Sequence, residues 1–441
     1  MAVGRHGAAP SHRLAGPKPV TTPCPGPTRR ALLACGVLGA APLHAAPRTV
    51  LTVAAFPLVD EIARAALPLW RQRHPDVDIH IVSRQYGDHH TAMTTALSTS
   101  VLLPDVMALE SSYVGRFAHG SGLENLAREP YRLDRFRSRL VPYAYDQAVT
   151  RTGAVVAMPT DIGPGTMLYR ADILDRAGVA EDDLTRSWSS YLDAGIRIKA
   201  VTGAYLIAHV QQIKDILIRT GLKPGEGLYF DQDSRVLVGS ERFVRAFEIA
   251  RQVRRHKLDA RVAAWSNEWA EGFKRGSLAT ELSGAWLVGQ LSNWVAPQTR
   301  GLWRAAQLPE GAHVAYGGAF YAIPSRATQS HKSLAWEFIQ LMTLDRERQL
   351  LAFKTHDAFP ALLETHDDPF FEQPVAFLAG QPARLLWRTA ARRIGATPVH
   401  KQNGFADEVV GTELDNVLDR GKNIRAALAD AQRLLERRAH R

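Results

Sequence analysis

After its first 48 residues the chain alternates apolar strands with amphipathic helices, and this order restricts the possible folds more than any other feature. Apolar or alternating segments at 49–55, 78–84 and 104–109 predict three strands. Between them, residues 60–74 and 88–101 carry apolar side chains at helical spacing. Strands that alternate with helices in this way form parallel βαβ units, so the segment predicts an open α/β sheet.

Three side chains follow the carboxyl ends of these predicted strands, where open α/β sheets bind their ligands. Phe56 follows the first strand, Tyr86 the second and Glu110 the third. Aromatic rings pack against the C–H faces of sugars, and a carboxylate accepts hydroxyl groups through charge-assisted hydrogen bonds. These residues are therefore candidate ligand contacts. For Glu110 the alternative is a carboxylate placed at a helix start by the helix dipole.

The stretch from Ala154 to Leu174 predicts a crossover of the chain between two lobes. An apolar run ending at Met158 indicates a buried strand, which Pro159 is expected to stop because proline cannot donate to a sheet. Asp161 then falls in a predicted bend, Gly163-Pro164-Gly165, before a second apolar strand. Asp161 is the strongest candidate acceptor for ligand hydroxyls. The alternative is a turn residue that bonds its own backbone.

This stretch resembles the hinge of the family 1 extracellular solute-binding proteins, the maltose-binding-protein-like receptors of ABC importers. The resemblance rests on Pro159, Asp161 and Gly163-Pro164, followed by Leu168-Tyr169 and then Asp172-Ile173-Leu174.

A second stretch, between Trp265 and Trp286, is similar to another pattern of the same family. The matching residues are Phe273, Gly276, Ala279, Gly284 and Trp286. Thr280 stands where the family usually has methionine. Farther along, Gly317-Gly318 resembles the family's double-glycine strand entry. The resemblance covers nearly the whole chain after the leader.

The resemblance implies a two-lobed α/β fold of the type II periplasmic binding-protein class, with a hinge of several chain crossings. Lobe one would comprise residues 46–160 and about 300–348, and lobe two 161–299 and about 349–441. It also implies that the protein captures a solute by hinge closure and delivers it to a membrane permease. The expected solute is a mono- or oligosaccharide or a polyol, bound by a monomer without a cofactor or metal ion.

The resemblance and the strand ends together select eight candidate ligand contacts. These are Asp161, Glu110, Trp286, Gly317, Gly318, Tyr86, Trp265 and Phe56. Trp286 is expected to form a stacking platform, with core packing as its alternative. For Trp265, Tyr86 and Phe56, packing is the ordinary role of such rings. The two glycines would let the backbone approach the ligand closely.

The leader predicts export. Residues 1–45 combine Arg29-Arg30, an apolar segment from Ala31 to Leu43 and a small-residue cleavage site ending near Ala45. The arginine pair resembles a twin-arginine signal, and a general secretory signal is the alternative. Both cysteines lie in this leader, so a mature periplasmic chain would have no disulfide, thiolate metal site or cysteine nucleophile.

The charge of the chain does not indicate a nucleic-acid partner. The formal net charge is +10, but residues 1–45 hold five basic and no acidic residues, which leaves +5 spread over the remainder. Such a distribution is typical of a solvated surface. Asp88-His89-His90 lacks a third nearby ligand, which favours an N-cap with surface histidines over a metal site.

Two other functions stay open. The same fold could bind a non-sugar solute, such as a polyamine or a phosphate ester. The chain could also be an exported carbohydrate-active enzyme, which would need two carboxylates about 5–10 Å apart, such as Glu110 and Asp161. We favour a binding protein because no nucleophile, zinc-protease or phosphate-loop motif occurs.

Overall fold

The computed structural model describes residues 48–118 and 122–439. The predicted export signal, residues 1–45, lies outside the described residues. Within the described part of the chain, no helix has the length and apolar character needed to cross a membrane.

The described residues contain eight strands. They are β1 (Thr49–Ala55), β2 (Val77–Ser83), β3 (Val106–Glu110), β4 (Met158–Arg170), β5 (Thr280–Gly284), β6 (Trp303–Ala306), β7 (Ala315–Ala322) and β8 (Phe359–Pro360). The α-helices of the amino-terminal half are α1 (Val59–Arg73), α2 (Tyr86–Thr99), α3 (Ser111–Ala118), α4 (Pro142–Gln147), α5 (Ala171–Ala177), α6 (Glu181–Thr185), α7 (Trp188–Thr202) and α8 (Gln211–Leu217). Those of the carboxyl-terminal half are α9 (Glu241–Arg255), α10 (Asn267–Arg275), α11 (Leu287–Gln290), α12 (Gln329–Leu344), α13 (Arg346–His356), α14 (Ala383–Arg393), α15 (Asn403–Arg420) and α16 (Ile424–Ala439).

The first three strands confirm the predicted βαβ units. β1 pairs in parallel with β2 and with β3, and α1 and α2 form the two crossovers. β7 then pairs antiparallel with β3 and β4, which gives the strand order β2-β1-β3-β7-β4-β5. The α/β prediction for this segment is confirmed.

Strand β4 divides the sheet into two sections. Its first half, Met158 to Pro164, pairs with β7 and β8, whereas its second half, Gly165 to Arg170, pairs with β5 and β6. Separate apolar cores pack around the two halves. There are three such cores in the described part of the chain. The first contains Trp70, Leu109 and Phe338, the second contains Trp188, and the third contains Trp387.

The predicted break at Pro159 and bend at Gly163-Pro164-Gly165 are wrong. Residues 158–170 form one strand, with irregular register between Pro159 and Asp161 and between Ile162 and Pro164. Such irregularities allow proline in a strand, because the missing donor falls where the regular ladder is interrupted. Asp161 therefore lies in a strand and not in a turn.

The sequence also predicts a helix over residues 205–220, and this prediction is wrong in its first part. Tyr205 and Ile207 form parallel bridges with Leu278 and Asp259, and α8 begins only at Gln211. The helical apolar spacing did not reveal this extended pairing. Near the carboxyl terminus, apolar residues at helical spacing predict a helix over residues 423–438. This helix is confirmed as α16, whose Ile424, Ala427, Leu428, Ala431 and Leu435 are buried.

The pairing of β4 with β7 requires glycine at position 163. A Cβ atom there would lie 1.9 Å from the backbone oxygen of Tyr316, closer than real atoms approach. We expect Gly163→Ala to force the two strands apart and to lower the free energy of unfolding by about 2–4 kcal/mol. Urea unfolding of the purified variant measures this loss.

Gly404→Ala is the matched control, because a Cβ atom at that position in α15 would meet nothing within 4 Å. Alanine is the better helix former, so this variant should equal or slightly exceed the wild type in stability. Equal unfolding midpoints for Gly163→Ala and wild type would contradict the required close approach.

Candidate functional site

An aromatic cluster forms at the carboxyl ends of β1, β2 and β3, as the sequence predicts. The ring centroids of Phe56 and Tyr86 are 5.8 Å apart and meet edge to face. Tyr86 is 43% exposed. Tyr113 also belongs to this cluster, and its ring stacks on His90 with the centroids 3.9 Å apart. Rings in these positions present an apolar surface next to a polar strand end.

The Glu110 carboxylate already has several hydrogen-bond donors. Its Oε2 accepts from the Tyr86 hydroxyl at 2.9 Å, and the Ser111 hydroxyl donates to Oε1 at 2.6 Å. The backbone amide and the hydroxyl of Ser112 also donate to Oε2. Glu110 thus stabilises the first turn of α3, which is the alternative role considered for it. A ligand hydroxyl on Oε2 would have to replace one of these donors.

The expected surface histidines at positions 89 and 90 are wrong, because both side chains are buried. Nε2 of His89 donates to the Ala108 carbonyl at 2.7 Å. Nδ1 of His90 donates to the Tyr86 carbonyl at 2.8 Å, and its Nε2 accepts from the Glu110 amide at 3.1 Å. Burial lowers the pKa of His89 to about 4, so this ring is neutral at pH 7. The helix itself begins at Tyr86, with Gln85 as its N-cap.

Asp161 lies in β4 between two other strands. It pairs with Ala319 of β7 on one side and with Pro360 of β8 on the other. Ala319 also pairs with Glu110 of β3, so Glu110 and Asp161 flank the same residue. Residues in register on neighbouring strands point to the same face of the sheet, about 5 Å apart per strand. Both carboxyl groups therefore belong to one face.

Asp161 has a raised pKa, and burial is the main cause. It raises the pKa of Asp161 to about 7, and the nearby Glu110 charge acts in the same direction, against a hydrogen bond from the Ala319 amide. A cavity of about 10 Å³ lies beside this carboxyl group, lined also by Tyr321 and Gln349. The buried Tyr321 hydroxyl and Gln349 Oε1 have no protein partner. The cavity is water-sized rather than sugar-sized.

Gly317 and Gly318 lie where β7 contacts both β4 and Trp286. A Cβ atom at Gly317 would lie 2.9 Å from Nε1 of Trp286, and one at Gly318 would lie 2.9 Å from the Asp161 carbonyl oxygen. Both residues have positive φ, 83° and 118°. Nε1 of Trp286 donates to the Tyr316 carbonyl at 2.9 Å. Close packing of protein groups thus explains both glycines, and their approach to a ligand stays a prediction.

Four indole rings form a second aromatic cluster. Trp265 lies 5.9 Å from Trp286 at an interplanar angle of 18° and 6.3 Å from Trp294 at 23°. It also contacts the buried Trp269 at 5.0 Å. Trp265 is 53% exposed and Trp294 63% exposed, whereas Trp286 is partly buried. The cluster therefore has a buried base and an exposed side.

A buried carboxyl group lies beneath this cluster. Oε1 of Glu281, in β5, accepts from Nε1 of Trp269 at 3.3 Å and from the side-chain amide of Gln212. Its Oε2 and the Gln212 Oε1 are buried without a partner. Burial raises the pKa of Glu281 to about 8 despite these two donors, so the group is mainly protonated at pH 7.

The eight predicted contacts are linked by a continuous series of neighbours. Phe56 packs on Tyr86, Tyr86 bonds to Glu110, and Ala319 joins Glu110 to Asp161. On the other side, Gly318 pairs with Ile162, the residue after Asp161. Gly317 lies against Trp286, which stacks on Trp265. Their role as ligand contacts stays a prediction.

The sequence reasoning missed Glu281 and Trp294. Glu281 lies inside the stretch Trp265 to Trp286 that resembles the family, and the available signal was a single acidic residue among small and apolar side chains, Ala279-Thr280-Glu281-Leu282. Trp294 had no such signal, because an isolated tryptophan is ordinarily a packing residue.

A model of the bacterial extracellular solute-binding protein family matches residues 54–349 of this chain, more than half of its length. The protein belongs to this family. The match runs from the last two residues of β1 through β7 and includes every predicted contact residue.

Two relatives of this solute-binding protein bear names that state a ligand. The lactose-binding protein of Rhizobium radiobacter is 24% identical over 380 residues, which are 81% of this chain and 87% of that one. The arabinooligosaccharide-binding protein of Bacillus subtilis (strain 168) is 23% identical over 280 residues, 61% of this chain and 63% of that one.

Solved structures agree with the fold. An extracellular solute-binding protein of family 1 superposes with a TM-score of 0.77 at 23% identity, covering 89% of this chain and 100% of that one. The binding protein of B. animalis subsp. lactis Bl-04 in complex with β-1,6-galactobiose has a TM-score of 0.74 at 20% identity, covering 89% and 98%. The solute-binding protein described here therefore has the two-lobed α/β fold of the type II class, as the sequence predicts.

The buried Glu281 carboxyl group should make the stability depend on pH. Its pKa in the folded protein is above its ordinary value, so the folded state binds more protons than the unfolded state between about pH 4.5 and 8. Stability must then fall as the pH rises through this window. We expect Glu281→Gln to reduce that fall by at least about 1 kcal/mol, measured by urea unfolding at about pH 5 and about pH 8.

Glu268→Gln, at an exposed position of α10, is the control and should retain the wild-type fall. The same fall in all three proteins would show that Glu281 ionises in the folded state as it does in the unfolded state.

Proposed function

We propose that this solute-binding protein is an exported receptor that captures a carbohydrate between its two lobes and delivers it to the permease of an ABC importer. The carbohydrate is a mono- or oligosaccharide or a polyol. The observation that carries the proposal is the juxtaposition of two aromatic clusters with the carboxyl groups of Glu110 and Asp161 across the neighbouring strands β3, β7 and β4. Aromatic faces and carboxylate acceptors are what sugar rings and their hydroxyls require.

The named relatives support the same ligand class. Proteins named for lactose and arabinooligosaccharide binding align with most or much of this chain. We propose that the eight predicted residues contact the sugar, with Asp161 and Glu110 as acceptors and Trp286 as the stacking platform. Phe56, Tyr86 and Trp265 would border the sugar, and Gly317 and Gly318 would permit a close backbone approach.

We place the lobes as the resemblance implies, with one change. Lobe one comprises residues 46–160 and a later segment from within β7 to about residue 348, and lobe two comprises residues 161 to β7 and about 349–441. The pairing of β6 with the second half of β4 supports a later return of the chain to lobe one. We therefore locate that crossing in β7 and not near Gly301.

A binding role is favoured over catalysis. Glu110 accepts four donors from its own helix start and from Tyr86, which leaves its Oε2 unsuited to act as a nucleophile or base. The family match describes solute-binding proteins, not enzymes. We also propose that the protein acts as a monomer in the periplasm after removal of residues 1–45, without a nucleic-acid partner.

A thermal-shift screen tests the ligand class. We expect residues 46–441 to be stabilised by a member of a panel of lactose, arabinooligosaccharides, maltose and β-1,6-galactobiose. A ligand that binds only the folded state adds roughly 2.7 kcal/mol of stability at a hundredfold excess over Kd. Spermidine and glycerol 3-phosphate are included as non-sugar solutes. Stabilisation by one of these, with no response to sugars, would overturn the carbohydrate proposal and keep the fold.

The contribution of Asp161 is tested with the sugar that the screen identifies. We expect Asp161→Asn to weaken binding by about 1–3 kcal/mol, because a charge-assisted hydrogen bond is lost. Since the pKa of Asp161 is about 7, wild-type affinity should rise between about pH 6 and 8 as the carboxylate forms. The variant should lose this rise, which titration calorimetry at both pH values detects.

The control is Asp193→Asn, on the exposed side of α7. It should bind like the wild type at both pH values. Unchanged affinity in Asp161→Asn would remove this residue from the binding site.

A further inference from the structure

Two exposed tryptophans lie beside the proposed stacking platform without a packing role that explains them. Trp294 is 63% exposed and Trp265 53% exposed. The remaining tryptophans in the described residues are buried or partly buried. Exposing an indole leaves a large apolar area in water, which proteins ordinarily avoid unless the surface binds something.

The backbone presents both side chains in an unusual way. Trp265 has φ of 69°, in the left-handed region that a bulky residue rarely adopts. Trp294 lies in a π-helical turn, Leu291–Val295, that follows directly on α11. Both conformations are uncommon, and both occur preferentially at functional sites. Two independent irregularities thus support one exposed aromatic surface.

Trp286, Trp265 and Trp294 form one stacked series of indole rings. Trp265 stacks on Trp286 at 5.9 Å and 18° and on Trp294 at 6.3 Å and 23°, so Trp294 is at the end of the series. Trp286 is fixed to the hinge region by its hydrogen bond to Tyr316. The exposed pair therefore continues directly from the proposed stacking platform to the solvent-exposed surface.

We propose that Trp265 and Trp294 form an outer sugar subsite next to Trp286, so that the ligand is an oligosaccharide of at least two linked rings. This inference rests on the proposed function and narrows it. A monosaccharide held at Trp286 would leave both exposed indoles in water. A second ring of the same ligand covers them and adds affinity that depends on the length of the sugar.

Titration calorimetry with sugars of different length tests the subsite. The probes are galactose with lactose, arabinose with arabinotriose, and glucose with maltotriose. We expect the wild type to bind the longer member of one pair more tightly. Trp294→Ala should lose roughly tenfold in affinity for that longer sugar and keep the affinity of the wild type for the monosaccharide. Trp286→Ala should weaken both.

Leu102→Ala is the control for loss of exposed apolar surface, since Leu102 is 84% exposed in the loop between α2 and β3. It should bind both sugars like the wild type. The same melting temperature for Trp294→Ala and wild type would confirm that the variant folds.

A second readout uses the wild-type protein alone. Oxidation by N-bromosuccinimide, followed by mass spectrometry, should be slower at Trp294 when the longer sugar is bound, and the monosaccharide should give no such protection. Full reactivity of Trp294 in the presence of the longer sugar would overturn the subsite.

The remaining outcomes separate this inference from the function on which it rests. If no sugar binds the wild type, the proposed function fails and the subsite fails with it. If sugars bind but Trp294→Ala has wild-type affinity for both lengths, the subsite alone is overturned. Wild-type affinity with reduced uptake by cells would assign Trp294 to contact with the permease instead, and would equally overturn the subsite.

Discussion

The close pairing of β4 with β7 is the constraint on which the rest of the structure depends. Gly163 and Gly318 bring the two backbones so near that a side chain at either position would collide with the opposite strand. Because β4 belongs to both sections of the sheet, this contact connects the two sections. It also fixes the distance between Asp161 and the Tyr316 carbonyl oxygen, which accepts the hydrogen bond from Nε1 of Trp286.

Two carboxyl groups next to the aromatic clusters have pKa values raised into the neutral range by burial. Asp161 and Glu281 have pKa values of about 7 and 8, in each case mainly because water is excluded. A ligand hydroxyl that donated to either carboxyl group would stabilise its ionised form and so would link binding to proton release. Glu110 differs, because protein donors already surround its carboxylate.

Elements with a strong local pattern were predictable. The strands and helices of the first βαβ units, and α16 near the carboxyl terminus, repeat apolar residues at the period of their own structure. The predicted break at Pro159 was wrong because strand β8 and the β7 glycines hold the chain extended despite the proline. The buried state of His89 was equally hidden, since it depends on the Ala108 carbonyl of a different strand.

The sequence alone determined the first βαβ units, the carboxyl-terminal helix and the family, because these follow from local periodicity and from motifs of fixed spacing. Only the tertiary structure decided that residues 158–170 form one strand, that Glu281 lies beneath the indole rings, and that Trp294 lies beside Trp265. These facts depend on contacts between segments far apart in the chain. No local pattern encodes such contacts, because packing selects them after the secondary structure has formed.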